Sequence, residues 1–264
     1  MFWWFKYYPY VCIVKKMKRL TTKKKVMKNL VKKMTMGFVV LALGSSLSEV
    51  SAQGAFSTGA DIVSSYVWRG VPQDRAVTGN PSLGSPNIQP YVSYSIGGLT
   101  AGAWASTSFL GNVKEVDLYA TYAFSSALSL TLTDYNWNFA GNYFNYGSGT
   151  DHVFEATLAG TVGSFTGSLN TMFAGADKLA SGKNAYSSYA ELGYQICPEA
   201  KCFVGAALNE SPGVYYTSGF GVTNVGLKVT KSIAITDKFS LPLYGIVGLN
   251  PDAKSAFFVA GITL

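Results

Sequence analysis

The sequence predicts an all-β protein, a transmembrane antiparallel up-and-down β-barrel of about 12 strands, within a range of roughly ten to fourteen. Three observations lead to this fold class. Polar and apolar residues alternate with period two in segments of about ten residues, which is typical of strands with two different faces. Very short connections alternate along the chain with longer ones. Beyond residue 52, no apolar run approaches the roughly 20 residues that a membrane-spanning helix needs.

The first 52 residues are interpreted as a secretory signal peptide, and residues 53–264 as the barrel. A basic segment precedes an apolar run at 36–43, and the small residues of Val50-Ser51-Ala52 predict cleavage after Ala52. A membrane anchor is the alternative, but the apolar run is too short for a spanning helix. The aromatic opening is unusual for a bacterial leader, which favours an over-extended gene start and a true start at one of three internal methionines: Met17, Met27 or Met34.

The net charge of +7 suggests at first a protein that binds nucleic acid or anionic surfaces. However, 11 of the 21 Lys and Arg residues lie before residue 53, together with only one of the 14 acids, Glu49. The remaining chain therefore has 10 basic and 13 acidic residues and a net charge of −3. The basic character belongs to the leader, so no nucleic-acid partner is expected.

The first predicted strand extends from about Phe56 to Gly70 and ends in the sequence Ser64-Ser65-Tyr66-Val67-Trp68-Arg69-Gly70-Val71. A loop rich in Pro, Gly and Asn follows. This motif resembles the opening strand of the TorF porin family, and the mature chain is similar to that family in size, strand rhythm and terminal strand. Pro72 and Gln73 depart from the family pattern after the motif. The resemblance implies an outer-membrane barrel of a Gram-negative bacterium, without an assigned substrate or an assigned role for Arg69.

The alternation is clearest in the fourth strand, where Val116, Leu118 and Ala120 face one way while Glu115 and Asp117 face the other. Gly97-Gly98 suits a two-residue hairpin turn, because glycine tolerates positive φ. The final strand alternates up to Leu264, as in barrels inserted by the outer-membrane assembly machinery. The eleven strands predicted after the first are 88–96, 99–109, 115–124, 128–133, 153–162, 165–173, 186–196, 202–208, 224–233, 239–249 and 255–264.

Function is expected on the inward face. Since a charge facing lipid costs about 2–4 kcal/mol at the bilayer midplane, charged residues on the strands should point into the barrel. A mainly acidic lumen would mildly favour cations. The alternative is that inward acids and bases pair with one another and fill the barrel. A barrel of twelve strands is compatible with either an open or a filled lumen. Parity gives these pore-lining candidates: Asp61, Arg69, Glu115, Asp117, Glu155, Glu191 and Lys228.

Cys197 and Cys202 bracket a predicted hairpin turn, and in an exported protein such a pair favours a disulfide. A metal site is a weak competitor, because no histidine is near and structural zinc needs four ligands. Cys12 leaves with the leader.

His152, the only histidine, is weighed as a catalytic base beside Asp151. No serine partner accompanies it, so a solvated residue at a loop junction is the favoured interpretation. The aromatic and Asn-rich loop at 136–146 suits either a bound sugar or, by preference, an interfacial aromatic girdle.

No phosphate-binding glycine loop, zinc motif or nucleophile elbow is found, so neither a cofactor nor an enzymatic activity is expected. The sequence therefore predicts a porin-like outer-membrane channel for small polar solutes or ions, with the membrane lipid as its partner. A closed barrel that acts through its external loops is the alternative. A soluble barrel with an apolar ligand is disfavoured, because only 13% of the residues are charged.

Overall fold

The fold is described from a computed structural model, which covers residues 54–73, 84–111, 114–137 and 143–264. The predicted signal peptide, its cleavage site and Cys12 lie outside the described residues. Within these ranges the protein is all-β, and no helix is long and apolar enough to cross a membrane.

Twelve of the fourteen strands close into one antiparallel barrel, so the predicted fold class is confirmed. Each barrel strand pairs with its neighbours in the chain, and β1 closes the cylinder by pairing with both β4 and β14. The two remaining strands, β2 and β3, form a separate two-stranded sheet. The strands are β1 Ala55–Val63, β2 Val67–Trp68, β3 Val71–Pro72, β4 Asn87–Ile96, β5 Leu99–Ser108, β6 Lys114–Ser125, β7 Leu128–Trp137, β8 His152–Val162, β9 Phe165–Gly175, β10 Ser188–Cys197, β11 Ala200–Ala207, β12 Gly221–Thr236, β13 Phe239–Asn250 and β14 Ser255–Thr263.

Burial alternates along the strands as the sequence predicts, because successive side chains point to opposite faces of a sheet. On β6, Glu115 and Asp117 are buried inside, while Leu118 and Tyr122 are exposed outside. The outer surface carries large apolar side chains on many strands; Leu192, for example, is 64% exposed. An apolar outer wall therefore surrounds a largely polar interior.

The two ends of the barrel differ. At one end, here called the turn rim, all five connections have two residues, and Gly97 and Gly163 have the positive φ values of 59° and 60° that such tight turns require. At the other end, the loop rim, the connections are longer. They are residues 64–86, 109–113, 138–151, 176–187, 208–220 and 251–254.

The prediction of a first strand from Phe56 to Gly70 is wrong in its second half. β1 ends at Val63, and residues 64–73 form an inward hairpin that carries β2 and β3. Arg69 and Gly70 form the tip with φ values of 50° and 79°. Two consecutive positive φ values make a tight reverse turn, so the chain doubles back here instead of continuing along the wall.

The main apolar core lies inside the barrel towards the loop rim, where the inward hairpin meets the wall. Trp68 and Trp137 pack against a set of buried side chains. This half of the interior is therefore filled with packed side chains. The buried set comprises Tyr135, Val153, Met172, Tyr189, Ala207, Val214 and Tyr215.

The disulfide predicted between Cys197 and Cys202 is not formed in this structure, in which both thiols are free. The register gives the reason. Cys202 lies opposite Tyr194 in the β10–β11 ladder, whereas Cys197 lies opposite Ala200 beyond an irregularity at the turn. Cysteines bridged across a hairpin normally face each other directly, and these two do not.

Candidate functional site

Arg69, at the tip of the inward hairpin, is the centre of the polar contacts inside the barrel. Its guanidinium donates two hydrogen bonds to Glu155 on β8, from Nη1 to Oε2 at 2.5 Å and from Nη2 to Oε1 at 2.8 Å. It also donates to Asn170 Oδ1 at 2.7 Å and to the Tyr215 hydroxyl oxygen at 2.5 Å. A bidentate pair fixes the direction of a guanidinium as well as its position. One hairpin residue thus connects β8, β9 and the loop at 208–220.

Glu155 has its hydrogen-bonding capacity filled at this site. Besides Arg69, its Oε1 accepts hydrogen bonds from the Tyr135 hydroxyl at 3.1 Å and the Thr157 hydroxyl at 2.9 Å. Only 1% of the Glu155 side chain and 14% of the Arg69 side chain are exposed. A buried ion pair is tolerated when the remaining lone pairs are satisfied, as they are here. The pair is neutral as a unit and offers little net charge to a passing solute.

Aromatic rings surround the Arg69 guanidinium. Its carbon lies 4.3 Å from the centre of the Trp68 ring and 5.0 Å from that of Tyr189. Trp68 in turn stacks on Tyr215 at 5.7 Å between ring centres. Since a cation over an aromatic face is attracted by about 0.5–2 kcal/mol, these rings hold the charge in place in addition to the carboxylate.

The charge state of the cluster follows from these contacts. Burial alone would lower the pKa of Arg69, but Tyr215 and Glu155 outweigh burial and raise the pKa above its ordinary value. Burial raises the pKa of the Tyr215 hydroxyl, which therefore stays neutral. The guanidinium is charged at every pH at which the protein would function.

The backbone of the hairpin tip is held against the opposite wall. Thr223 donates a hydrogen bond from its hydroxyl to the Arg69 carbonyl at 3.1 Å, and Asn250 Nδ2 donates to the Gly70 carbonyl at 3.1 Å. A Cβ added to Gly70 would lie 1.8 Å from the Thr223 carbonyl oxygen. Position 70 therefore requires glycine for two reasons: its positive φ and the close approach of the Thr223 backbone. The hairpin crosses the barrel from β8 and β9 to β12 and β13.

Glu115 and Asp117 lie away from any cation. They are 2% and 5% exposed, and neither forms an ion pair within the part of the chain that the structure describes. Tyr66 of the inward hairpin packs on Trp104 at 5.5 Å, and Trp104 is the ladder neighbour of Asp117.

A cavity of about 470 Å³ occupies the interior on the turn side. Its wall consists mainly of hydroxyl-bearing and small residues, such as Ser129, Thr161 and Ser168, with two charged side chains, Glu191 and Lys201. Glu191 Oε2 accepts hydrogen bonds from the Tyr189 hydroxyl at 2.7 Å and Asn224 Nδ2 at 3.0 Å. The interior is thus filled near the loop rim and hollow near the turn rim.

The structure connects three of the predicted residues to one another and leaves the others apart. Arg69 and Glu191 both contact Tyr189, and Arg69 pairs with Glu155, whereas no such contact joins Glu115 or Asp117 to this group. Asp61 and Lys228 lie near β14 and β13, where Asp61 accepts hydrogen bonds from Thr263 at 2.7 Å and Tyr244 at 3.4 Å. All seven lie inside the barrel, but Arg69 reaches there from the hairpin and not from a wall strand.

Sequence reasoning missed several residues of this interior, and Lys201 is the instructive case. A strand predicted to start at Cys202 leaves Lys201 in the turn, but β11 already begins at Ala200. Extending the parity of β11 by one residue would have found it. Tyr215 and Asn170 carry no pattern that distinguishes them, because their role depends on where the inward hairpin ends.

His152 lies on the outer face at the loop rim, and the prediction that it is solvated is wrong, since it is 1% exposed. Its Nδ1 lies 2.7 Å from Asp134 Oδ1, and its Nε2 donates to the Tyr143 carbonyl at 2.6 Å. Tyr146 stacks on the ring at 4.2 Å and donates from its hydroxyl to Asp134 Oδ2 at 3.0 Å. Both ring nitrogens are occupied, so His152 anchors the described part of the preceding loop at 138–151. Of the aromatic loop at 136–146, residues 138–142 lie outside the described residues.

No protein-family model matches the chain, and no curated protein matches it.

Proposed function

We propose that this protein is an outer-membrane channel for small polar solutes, narrowed at its loop rim by the inward hairpin. The Arg69–Glu155 ion pair, here called the latch, holds the hairpin against β8. The observation that carries the proposal is the hollow, hydroxyl-lined interior on the turn side inside a closed barrel with an apolar outer wall. An apolar exterior around a polar interior is what a barrel in a bilayer requires. The likeness of residues 64–71 to the TorF porin family supports the same proposal.

The packed side chains in the half of the barrel near the loop rim favour a narrow channel over a wide one. Arg69 reaches across the interior to Glu155, and aromatic rings fill the space around it. In a channel of this kind the hairpin sets the size limit for passage, while the hydroxyls below it replace the hydration of a small solute.

A closed barrel is the second candidate, and the same cluster favours it. If the packed half seals the lumen completely, function moves to the loop rim, where Tyr143 and Tyr146 are anchored by His152. In this case the barrel serves as a membrane platform for a recognition surface.

Conductance in a planar bilayer distinguishes the two candidates. The refolded mature chain is compared with the double variant Arg69→Gln/Glu155→Gln, which removes both charges of the latch together and leaves neither buried alone. We expect small discrete steps from the wild type and larger steps from the double variant. Lys254→Gln, an exposed change at the same rim, is the control and should conduct like the wild type.

One result would contradict the channel, and another would contradict the role of the hairpin in it. If both proteins insert and stay silent, the barrel is closed and the second candidate holds. If the two give identical steps, the hairpin does not limit passage and the role of the latch is wrong.

A further inference from the structure

We propose that the turn-side cavity binds a small zwitterion, an amino acid, between Glu191 and Lys201. These two residues are the charged side chains of the cavity wall, and their charges are opposite. Neither forms an ion pair within the part of the chain that the structure describes. A ligand that carries an ammonium and a carboxylate can therefore bind both side chains at once. Passage of such a ligand rests on the proposed channel, but binding does not.

The hydrogen bonds of Glu191 turn its carboxylate away from Lys201. Its Oε2 accepts from the Tyr189 hydroxyl at 2.7 Å and from Asn224 Nδ2 at 3.0 Å. Tyr189 lies two residues nearer the loop rim on the same face of β10, so the carboxylate leans towards that rim. The other oxygen, Oε1, accepts no hydrogen bond from the described residues. One oxygen thus fixes the carboxylate, and the other is available to an ammonium.

The side chain of Lys201 reaches from β11 over the middle of β10. In the ladder Lys201 lies opposite Gln195, but a Cβ added to Gly193 would lie 2.3 Å from Lys201 Cε and 2.9 Å from Nζ. The Thr166 hydroxyl oxygen would lie 2.5 Å from the same Cβ. Gly193 therefore provides the space that the ammonium occupies. It follows Glu191 by two residues on the inner face, about 7 Å along the strand, so the two charged groups face one cavity without meeting.

The pair of opposite charges selects against simple ions. An anion attracted by Lys201 is repelled by Glu191, and a cation meets the reverse, so only a ligand with both charges gains at both residues. The remaining wall includes the hydroxyls of Ser129, Thr161 and Ser168, which can donate to or accept from a polar side chain. The cavity volume of about 470 Å³ lies within the range of about 300–1,000 Å³ that is usual for small-molecule sites. The site therefore fits a small amino acid with a polar side chain.

Three matched probes test the site on the refolded mature barrel at pH 7, by saturation-transfer NMR titration in detergent micelles. L-serine carries both charges, 3-hydroxypropanoate lacks its ammonium, and ethanolamine lacks its carboxylate. We expect L-serine to bind most tightly, and Glu191→Gln and Lys201→Gln each to weaken its binding by about tenfold or more. Glu191→Gln should strengthen binding of 3-hydroxypropanoate, and Lys201→Gln that of ethanolamine, because each change removes the repelling charge.

The controls are Glu199→Gln and Lys238→Gln, which remove the same two charges from exposed turns at the same rim and should leave L-serine binding unchanged. Three results would overturn the inference: no binding of L-serine by the wild type, binding of a singly charged probe as tight as that of L-serine, or equal losses in the controls. A barrel that is silent in the bilayer but binds L-serine through both residues would refute the channel and retain the site. A conducting barrel that does not bind L-serine would refute the site alone.

Discussion

At the scale of single residues, the barrel interior depends on the hairpin tip. Arg69 is a non-glycine residue at φ 50°, a backbone conformation that is retained only when the surrounding contacts compensate its cost. Four side-chain hydrogen bonds and two nearby rings provide that compensation. The strained backbone and the contacts that compensate it belong to the same residue, Arg69. Small changes here should therefore have large effects on stability.

Gly70→Ala should destabilise the protein more than an alanine at a glycine with the same backbone preference. Its methyl group would lie 1.8 Å from the Thr223 carbonyl oxygen, whereas a Cβ at Gly97, also at positive φ, meets nothing within 4 Å. We expect about 1–2 kcal/mol of backbone strain for Gly97→Ala and a clearly greater loss for Gly70→Ala. Urea unfolding followed by tryptophan fluorescence measures both. Equal losses would show that the hairpin tip is not tightly packed.

The direction of a side chain was predictable where the period-two alternation of a strand determines it, but not where a turn determines it. Glu115, Asp117 and Glu155 were correctly placed inside from alternation alone. The parity argument also placed Arg69 inside, but on a strand that does not extend that far. Its contacts with Asn170 and Tyr215, 101 and 146 positions away, follow from the tertiary position of the hairpin and leave no local trace.

At the scale of the elements, the buried His152 anchors the described part of the loop at 138–151 to the outer wall. His152 lies at the start of β8, and its contacts with Asp134 and the Tyr143 carbonyl join the wall to the described part of the loop. Because loops otherwise open with little cost in free energy, such an anchor controls local unfolding.

His152→Ala should release this loop while the barrel stays closed. Losing both hydrogen bonds of the ring removes on the order of 1–3 kcal/mol from the local opening energy, so chymotrypsin should cut near Tyr143 and Tyr146 about tenfold faster or more. Asp151→Ala, an exposed change one residue away, is the control. Unchanged cleavage in His152→Ala would show that contacts independent of the ring, such as the hydrogen bond from Tyr146 to Asp134, hold the loop.

The elements themselves were largely predictable, because a barrel repeats one local rule. Twelve alternating segments became twelve barrel strands, and the two-residue connections all appear at one rim. The prediction of the first strand fails at Ser64-Ser65, because β1 ends just before these residues. Two consecutive hydroxyl side chains leave the alternation of polar and apolar residues ambiguous there. A hairpin that folds into the interior uses residues of both parities, so period two cannot reveal it.

At the scale of the whole molecule, the two faces of the wall define the solvent on each side. Large apolar side chains outside and hydroxyls inside suit lipid around a wet interior. A soluble barrel would need the reverse. The choice between these environments is a property of the closed sheet, and it can be tested at one position on its outer face.

Leu192→Lys should prevent insertion into lipid vesicles. Leu192 is in the middle of β10 and 64% exposed, and a lysine at bilayer mid-depth costs about 2–4 kcal/mol. Thr166→Lys, on the inner face of the adjacent strand, is the matched control and should insert. Insertion is followed by the shift in gel mobility between heated and unheated samples. Normal insertion of Leu192→Lys would contradict a membrane-facing outer wall.

In the proposed channel, the length of β12 would limit how deep the barrel lies in a bilayer. Ladder pairing of β12 with β11 ends at Val229, yet β12 and β13 remain paired with each other as far as Thr236 and Phe239. Residues 232–240 therefore project beyond the rim as a two-stranded tongue, whose β12 edge has no ladder partner among the described residues. Unpaired backbone groups cannot enter hydrocarbon, so the tongue must stay in water or among lipid headgroups. Its exposed Ile233, Ile235 and Phe239 favour the headgroup layer. By staying in that layer, they would fix how far the barrel extends into the hydrocarbon.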